Sequence, residues 1–305
     1  MQAAYYEESG GPDKLKVGER PDPEPGAGDV LIRNRAAGVG IWDVKLMASA
    51  SANRSFPVIP GFEAAGIVEQ SGDSGLEMGD AVFAQLGERR GGYAEISVAS
   101  PDHVARKPNT VSFEEAAGLV FGAGTAYEGL VDRGRVQAGE TVLITAAAGG
   151  VGVSAAQIAT SLGARVVAIA SSAHHALLRE LGASETFDYH DATWLDQVLA
   201  AVPGGVDVLF DGAGGETRDR AVGAIKDDGR GIFLVGKPRE LPRGIAALQF
   251  SADPDTRRLA AIQRLVDGGK LRAVVDSTFS LEDAASAMAR VATHHSGGRV
   301  ALTIG

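Results

Sequence analysis

The sequence predicts an α/β protein of two domains, one rich in irregular β structure and one built on a doubly wound parallel sheet. Two observations predict this fold class. Residues 1 to about 110 consist of short apolar or alternating runs bounded by Gly, Pro, Asp and Ser. From Thr141 onward, short apolar runs alternate with helical segments, and such βαβ units form a parallel sheet with helices on both faces.

Each element of the first two thirds has its own signal. The β-rich part contains strand-like runs at residues 29–39, 61–72, 79–87 and 91–100. Ser112 and Glu115 match a capping box and predict a helix, and a second helical stretch follows at residues 125–131. The parallel sheet takes its strands from TVLIT, ARVVAIA, VDVLFD and GIFLVG, and its helices from residues 151–162, 174–181 and 216–225.

Glycines end two of these helices, and the last part of the chain returns to the β-rich domain. Gly163 and Gly182 stand where a left-handed cap favours glycine. We expect a helix over residues 255–268, a strand over residues 271–275, a helix opened by Ser280 and Asp283, and a final strand GRVALTIG. That short strand is expected to pair with the amino-terminal β domain. The predicted boundaries are residues 1–117 with 251–305 for the first domain and 118–250 for the second.

Composition excludes several kinds of chemistry. The 305 residues contain no cysteine, which excludes disulfides, Cys-ligated zinc, iron–sulfur clusters and a cysteine nucleophile. The net charge of −10 disfavours nucleic-acid binding, and no apolar run approaches the roughly 18 residues of a membrane span. The amino terminus lacks the pattern of a signal peptide, so we expect a cytoplasmic protein.

The clearest functional motif lies in residues 141–172. A buried strand enters a tight turn that contains Gly149, Gly150 and Gly152, and a helix and a second buried strand follow. Glycine lets the backbone approach a pyrophosphate, and the helix amino terminus offers it free N–H groups. Because Ala147 replaces the first glycine of the usual GxGxxG pattern, the strand–turn–helix context carries the prediction of a dinucleotide. The alternative is that these glycines only permit close packing of the helix on the strand.

The end of the second strand favours NADPH over NADH. A site for NADH normally carries Asp or Glu there to bind the ribose 2′-hydroxyl, and a carboxylate repels a 2′-phosphate. Residues 170–175 read Ala-Ser-Ser-Ala-His-His and contain no acid. Two hydroxyls and two imidazoles suit a phosphate better. The alternative is that Ser171 caps the next helix and that both histidines are solvated.

Several segments together point to a family. They are AAGVGIWDVKLM, PVIPGFEAAGIVEQSG, GAGTAYEGL, AAAGGVG, VDVLFDGAGG and the closing LVDGGKLRAVVDSTFSLEDAASAM with GGRVALTIG. With them the whole chain resembles the zinc-independent quinone oxidoreductases of the medium-chain dehydrogenase/reductase superfamily. The resemblance implies a GroES-like β-rich catalytic domain and a Rossmann dinucleotide-binding domain. It also implies hydride transfer from NADPH to a quinone or an α,β-unsaturated carbonyl in a cleft between them.

The resemblance further implies the site residues. Zinc-dependent relatives carry metal ligands where this chain has Gly40 and Phe62, so no metal is expected. The cofactor residues are Thr125, Ala148, Gly149, Gly150, Val151, Gly152, Ser171, Ser172, His174, Tyr189, Gly212, Val235, Gly236 and Arg299. The substrate pocket is formed by Gly40, Ile41, Trp42 and Phe62. Tyr127 and Lys45 are candidate catalytic donors to the developing enolate oxygen, the alternatives being a buried, satisfied Tyr127 and a solvated Lys45.

Two departures from the family pattern leave three functions open. Gly40 replaces a family asparagine, which is expected to widen the pocket and remove a polar anchor, and the loop at residues 236–240 lacks the usual Gly/Ser-rich sequence. The first function is an NADPH-dependent reductase of quinones or enones. The second is an NADPH-binding protein with lost or altered activity. The third, an alcohol or ketone dehydrogenase, is disfavoured by the missing zinc ligands.

The family also implies a homodimer joined by the edges of two Rossmann sheets. The apolar segment GIAALQF, residues 244–250, is the candidate edge strand, because an exposed apolar edge is otherwise a liability. The alternative is a covered terminal strand of a monomer.

Overall fold

Among the described residues, a seven-stranded sheet in one unit and a six-stranded sheet in the other organise the chain, and a small two-stranded sheet accompanies them. The computed structural model describes residues 1–49, 55–87, 91–236, 238, 240–242, 244–250 and 255–305. Unit 1 comprises Met1–Phe121, Asp253–Gly269 and Ala273–Gly305, and unit 2 comprises Gly122–Ala252 and Lys270–Arg272. The predicted α/β fold class is confirmed, with a GroES-like unit and a parallel Rossmann-like sheet.

The first part of the chain supplies most of the β-rich unit. Its elements are β1 (Gln2–Tyr5), β2 (Lys16–Glu19), β3 (Val30–Val39), α1 (Ile41–Ala48), β4 (Glu63–Gln70), β5 (Ala81–Gln85), β6 (Ile96–Ala99), β7 (Val104–Arg106) and α2 (Phe113–Tyr127). The capping box that opens α2 is present as predicted. The Ser112 N–H donates to Glu115 Oε2 at 2.8 Å, and the Glu115 N–H donates to Ser112 Oγ at 3.2 Å.

The parallel sheet and its helices follow. They are β8 (Thr141–Thr145), α3 (Gly152–Ser161), β9 (Arg165–Ile169), α4 (His175–Glu180), β10 (Glu185–Phe187), α5 (Trp194–Ala201), β11 (Val206–Asp211), α6 (Gly215–Ala221), β12 (Ile225–Phe233) and β13 (Ala246–Leu248). The sheet order is β10-β9-β8-β11-β12-β13, and every pairing is parallel. The central residues of β8, β9 and β11 are apolar and buried, as is usual in a parallel sheet. Gly163 and Gly182 adopt φ of +82° and +101°, as their positions after α3 and α4 predict.

The remaining elements complete unit 1. They are α7 (Thr256–Asp267), β14 (Val275–Ser280), α8 (Ala284–Ala292) and β15 (Arg299–Thr303). The larger sheet has the order β14-β15-β3-β4-β5-β7, with β6 also paired to β3. As predicted, the final strand pairs with the amino-terminal β unit, because β15 lies antiparallel to β3 with Leu302 opposite Ala37. Its apolar side chains pack with those of α8 in one buried cluster.

Two predicted elements are wrong in detail. The strand expected over residues 271–275 begins instead at Val275, because the preceding residues are held by a side chain of unit 2. The Arg272 N–H donates to Gln157 Oε1 at 2.8 Å, and Gln157 Nε2 donates to the Arg272 carbonyl at 3.0 Å. The second helical stretch expected at residues 125–131 is a continuation of α2 to Tyr127, followed by a π-helical segment over Glu128–Arg133.

Candidate functional site

The turn between β8 and α3 is closed so tightly that position 152 accepts no side chain. A Cβ on Gly152 would lie 2.6 Å from the carbonyl oxygen of Ala147 and would also overlap that of Ala146. The Gly149 N–H donates to the Ala146 carbonyl at 3.0 Å, and the Val153 N–H donates to the Gly149 carbonyl at 3.0 Å. A Cβ on Gly149 would meet only the Ala146 oxygen, at 3.3 Å, so this position is less crowded than position 152. This geometry fits a pyrophosphate at the amino terminus of α3.

A buried side-chain link fixes the neighbouring strand end. The Thr145 hydroxyl at the end of β8 donates to Asp211 Oδ1 at the end of β11, at 2.5 Å. Asp211 also accepts from the Gly214 N–H at 3.2 Å, and burial raises its pKa. The strand order reverses between β8 and β11, the place where ligands bind in sheets of this kind. The predicted cofactor residue Gly212 lies there, and its N–H donates to Thr145 Oγ1 at 3.2 Å.

A buried arginine on α6 binds the backbone of the loop that follows β12. Arg218 Nη1 donates to the Val235 carbonyl at 2.9 Å, and the same guanidinium pairs with Asp219. Val235 is half-buried, and Gly236 is exposed with φ of +68°. Both predicted residues therefore lie just past the carboxyl end of a sheet strand, whereas Lys237 and Arg239 of the same loop lie outside the described residues.

A buried hydroxyl on α2 lacks a protein partner. Thr125 is 3% exposed, and its Oγ1 has no hydrogen-bond partner among the residues that the structure describes. A buried polar atom left in this state costs free energy, so it marks a position where a ligand group would supply the missing bond. Tyr127 is half-buried two residues later, at the junction of α2 with the π-helical segment. Both residues belong to unit 2, as do all the predicted cofactor residues except Arg299.

The loop after β9 carries the residues predicted for the 2′-phosphate, and an acid lies among them. Ser171 is half-buried, Ser172 is exposed, and His174 begins the turn into α4. The Ser172 N–H donates to Asp188 Oδ2 at 2.9 Å. Residues 170–175 contain no acid, but a carboxylate that is distant in the sequence lies against them. Tyr189, the next residue, is exposed and packs against His190 with ring centroids 4.0 Å apart.

The predicted substrate residues of unit 1 form an aromatic cluster with a residue that the sequence did not single out. Trp42 and Phe62 each contact the ring of Phe121, with centroids 5.9 and 6.1 Å apart, and all three are half-buried. Ile41, the first residue of α1, is half-buried as well. The Trp42 and Phe62 rings are inclined to that of Phe121 by 42° and 77°, so the three form a tilted apolar cluster in unit 1.

The expectation that Gly40 widens the pocket is wrong. A Cβ at position 40 would lie 2.8 Å from Trp42 Cδ1 and 3.0 Å from Trp42 Nε1. The indole therefore occupies the space that a larger residue at position 40 would use. The buried Nε1 has no hydrogen-bond partner among the described residues, so an indole N–H beside position 40 remains available to a ligand.

Three buried charged residues lie behind this cluster. Asp43 accepts from the Gly40 N–H at 2.8 Å and from the Gly61 N–H at 3.0 Å, and burial raises its pKa to about 6. Glu63 accepts from the Phe121 N–H at 2.8 Å and forms an ion pair with Arg299, whose pKa burial lowers to about 10. Arg299, predicted to contact the cofactor, is thus already paired within unit 1.

Three further expectations concern Lys45, a bound metal and a membrane span. Lys45 is exposed on α1, which agrees with the alternative that it is a solvated helix residue. In the ranges that the structure describes, no group of three His, Asp or Glu side chains is placed to hold a metal ion. Within the same ranges, no helix is long and apolar enough to cross a bilayer.

Sequence reasoning missed five residues that shape these sites. They are Thr145, Asp211, Asp188, Phe121 and Glu63. The strand ends TVLIT and VDVLFD carry a signal for the first two, because polar residues that close buried strands meet at one edge of a parallel sheet. Asp188 follows β10 in the same way, whereas the contacts of Phe121 and Glu63 depend on packing that no local pattern encodes.

Comparison with known proteins agrees with this geometry. A family model for the alcohol dehydrogenase GroES-like domain matches residues 26–109, and one for the zinc-binding dehydrogenase matches residues 181–302. The chain is 32% identical over 308 residues to the quinone oxidoreductase of Mus musculus, covering 94% of this chain and 92% of that one. It is 31% identical over 318 residues to the chloroplastic NADPH-dependent alkenal/one oxidoreductase of Arabidopsis thaliana, covering 99% and 79%. The crystal structure of an NAD-dependent alcohol dehydrogenase superposes with a TM-score of 0.92 at 31% identity, covering 100% of both chains.

A GroES-like unit and a doubly wound sheet with a glycine turn at its switch point define an oxidoreductase that uses a nicotinamide dinucleotide, of the medium-chain dehydrogenase/reductase superfamily. These two relatives are 32% and 31% identical to the chain over nearly its whole length. Within the superfamily, the chain belongs to the quinone oxidoreductase-like family.

Proposed function

We propose that this protein transfers hydride from NADPH to a quinone or an α,β-unsaturated carbonyl without a metal. The glycine turn at the amino terminus of α3 carries the proposal, because it provides the cradle that a dinucleotide pyrophosphate requires. The names of the mouse and Arabidopsis relatives support the acceptor class. Gly40 and Phe62 offer no metal-coordinating atoms at the positions where zinc-dependent relatives hold their ligands.

The bound dinucleotide would supply the hydride, and the chain's residues would orient, shield and polarise the reactants. The turn after β8 and the loop after β12 hold the pyrophosphate, and Thr125 Oγ1 donates to or accepts from the nicotinamide end. The Tyr127 hydroxyl is the candidate donor to the oxygen that gains charge, and Lys45 is the second candidate. The rings of Trp42, Phe62 and Phe121 offer an apolar surface for a planar acceptor.

An assay with several acceptors tests the proposal. Consumption of NADPH is followed by absorbance with 9,10-phenanthrenequinone, with a panel of small enones, and, in the reverse direction, with secondary alcohols and NADP⁺ or NAD⁺. We expect turnover with the quinone or an enone and none with alcohols. Turnover of alcohols alone would replace the proposal by an alcohol dehydrogenase.

The second candidate function is an NADPH-binding protein with lost or altered activity. The indole over Gly40 favours it, because that contact removes the space for the family asparagine. Tight binding of the dinucleotide without turnover of any acceptor would select this candidate.

We also propose a cytoplasmic homodimer. The strand β13 lies at the edge of the unit 2 sheet, and Ala246 and Ala247 are exposed there. Pairing of two such edges would continue the sheet across a two-fold axis. Light scattering after size exclusion measures the assembly, and cell fractionation measures the location.

A further inference from the structure

An aspartate from the neighbouring strand lies at the edge of the sheet where the adenosine ribose of a dinucleotide is expected. In the parallel pair of β9 and β10, Ile169 lies opposite Phe187. The ladder continues one step further, because the Ala170 N–H donates to the Phe187 carbonyl at 3.1 Å. The residues that follow the two strands, Ala170 and Asp188, therefore lie side by side at the edge of the sheet. This places Asp188 beside the Ser171–Ser172 loop, although the chain separates them by more than a dozen residues.

The carboxylate is fixed by hydrogen bonds on both oxygens. Oδ2 accepts from the Ser172 N–H at 2.9 Å, and Oδ1 accepts from the His190 N–H at 2.9 Å and contacts His190 Nδ1 at 2.8 Å. The backbone N–H groups of His190 and Ser172 hold the pKa of Asp188 well below its usual range, so it is charged at neutral pH. The side chain keeps 25% of its surface exposed, which leaves lone pairs accessible to a ligand.

A carboxylate at this edge has a known chemical consequence for dinucleotide choice. It accepts hydrogen bonds from the ribose hydroxyls of NADH and repels the additional phosphate of NADPH. The strand β9 usually supplies such an acid from its own end, and here its end is Ala-Ser-Ser. The adjacent strand supplies it instead.

We propose that Asp188 is a specificity-determining residue of the dinucleotide site, which accepts from the ribose 2′-hydroxyl of NADH and opposes the 2′-phosphate of NADPH. The inference depends on the dinucleotide site of the proposed function and is independent of the acceptor. Ser171, Ser172 and His174 favour the phosphate, and Asp188 acts against them. The wild-type protein is therefore expected to bind both dinucleotides, with less preference for NADPH than the serines and imidazole alone would give.

Removing one charge while keeping the hydrogen-bond acceptor tests the inference. Asp188→Asn retains an oxygen that accepts from the Ser172 N–H. A unit charge about 4 Å from a phosphate of about one and a half charges changes the affinity in water by roughly tenfold. We expect the ratio of Kd for NADH to Kd for NADPH, measured by calorimetric titration, to rise about tenfold in this variant.

Asp191→Asn is the matched control. Asp191 is an exposed acid three residues further on, and it accepts from the Thr193 N–H at 2.8 Å in the turn before α5. Its removal changes the net charge by the same amount but leaves the carboxylate beside Ser172 in place. We expect its ratio of Kd values to stay within about twofold of the wild type.

A second pair of ligands separates specificity from a loss of loop structure. Adenosine 2′,5′-bisphosphate and AMP differ only at the 2′ position, so a disordered loop would weaken both, whereas a removed repulsion would strengthen only the bisphosphate. An unchanged ratio in Asp188→Asn for both ligand pairs would overturn the inference and leave the proposed function standing. If the wild-type protein bound neither dinucleotide, the proposed function would fail together with the inference.

Discussion

At the residue scale, Gly40 and Trp42 depend on each other. The indole of Trp42 lies within 3.0 Å of the place where a Cβ on residue 40 would be. Such a separation is shorter than carbon atoms tolerate without movement. A side chain at position 40 and the indole in its present place therefore exclude each other.

This exclusion predicts strong coupling between the two positions. Gly40→Asn alone is expected to displace the indole and to lower the unfolding free energy by about 1–3 kcal/mol, because overpacking strains a closely packed site. In the double variant Gly40→Asn with Trp42→Leu, part of this loss should be recovered, with a coupling energy of about 1 kcal/mol or more. Urea unfolding and kcat/KM of all four proteins measure the coupling. Additive effects at the two positions would contradict it.

The buried Asp43 makes stability depend on pH in an unusual direction. Its pKa is raised from 3.8 to about 6, so the folded protein binds its proton more tightly than the unfolded chain. This contribution is fully present below about pH 4 and is lost as the pH rises through 6. A shift of about two units corresponds to roughly 3 kcal/mol.

We therefore expect Asp43→Asn to remove part of the pH dependence of the unfolding free energy. Between pH 4.5 and pH 7.5, the unfolding free energy of the wild type should fall relative to that of the variant by about 2 kcal/mol. Urea unfolding at both pH values measures the difference. Asp13→Asn changes an exposed acid of the same unit and keeps Asp43. The unfolding free energy of the wild type should therefore not fall relative to that of this control. Equal pH dependence of wild type and Asp43→Asn would show that the carboxyl group does not titrate in this range.

At the element scale, the start of α3 depends on one missing side chain. Backbone carbonyl oxygens of the preceding turn occupy the space around Gly152, and backbone atoms cannot rotate away as a side chain can. Gly152, one of the glycines that the sequence singles out, is therefore required for packing, and this requirement is compatible with the proposed approach of a ligand. The two interpretations that the pattern left open are not exclusive.

The variant Gly152→Ala tests the role of the turn, and a second glycine-to-alanine variant controls for the general effect of replacing a glycine. Gly152→Ala is expected to weaken NADPH binding at least tenfold and to lower the unfolding free energy by about 1–3 kcal/mol, because α3 must shift to relieve the contact. Gly223→Ala is the control, since its Cβ would meet only Leu195 at an ordinary 3.6 Å. Calorimetric titration and urea unfolding measure both effects. Wild-type affinity in Gly152→Ala would contradict the role of the turn.

Local signals predict the elements well and fail where distant residues intervene. The capping box at Ser112, the glycine caps and the alternation of strands and helices depend on neighbours in the chain, and the structure contains each of them. The strand expected at residues 271–275 is displaced because Gln157 binds the backbone of Arg272. Likewise, the carboxylate of Asp188 reaches Ser172 through strand pairing, which the sequence of that loop does not encode.

At the scale of the whole molecule, the exposed edge of the unit 2 sheet determines the expected assembly. A lysine on an edge strand opposes pairing with a second strand. Ala247→Lys in β13 is therefore expected to convert the proposed dimer to a monomer, as measured by light scattering. Ala200→Lys, an equal change of charge at an exposed position of α5, should leave the mass unchanged. A dimer that survives Ala247→Lys would place the interface elsewhere.

The position of β15 in its sheet bears on the order in which the chain can acquire structure during synthesis. β3 pairs with β4 and β6, which follow it within the first third of the chain, and also with β15, which is synthesised after all of unit 2. Unit 2 needs nothing beyond Arg272, so it can be completed while unit 1 still lacks a strand. Because an unpaired strand edge promotes association with other chains, nascent protein is exposed to aggregation until β15 has been synthesised.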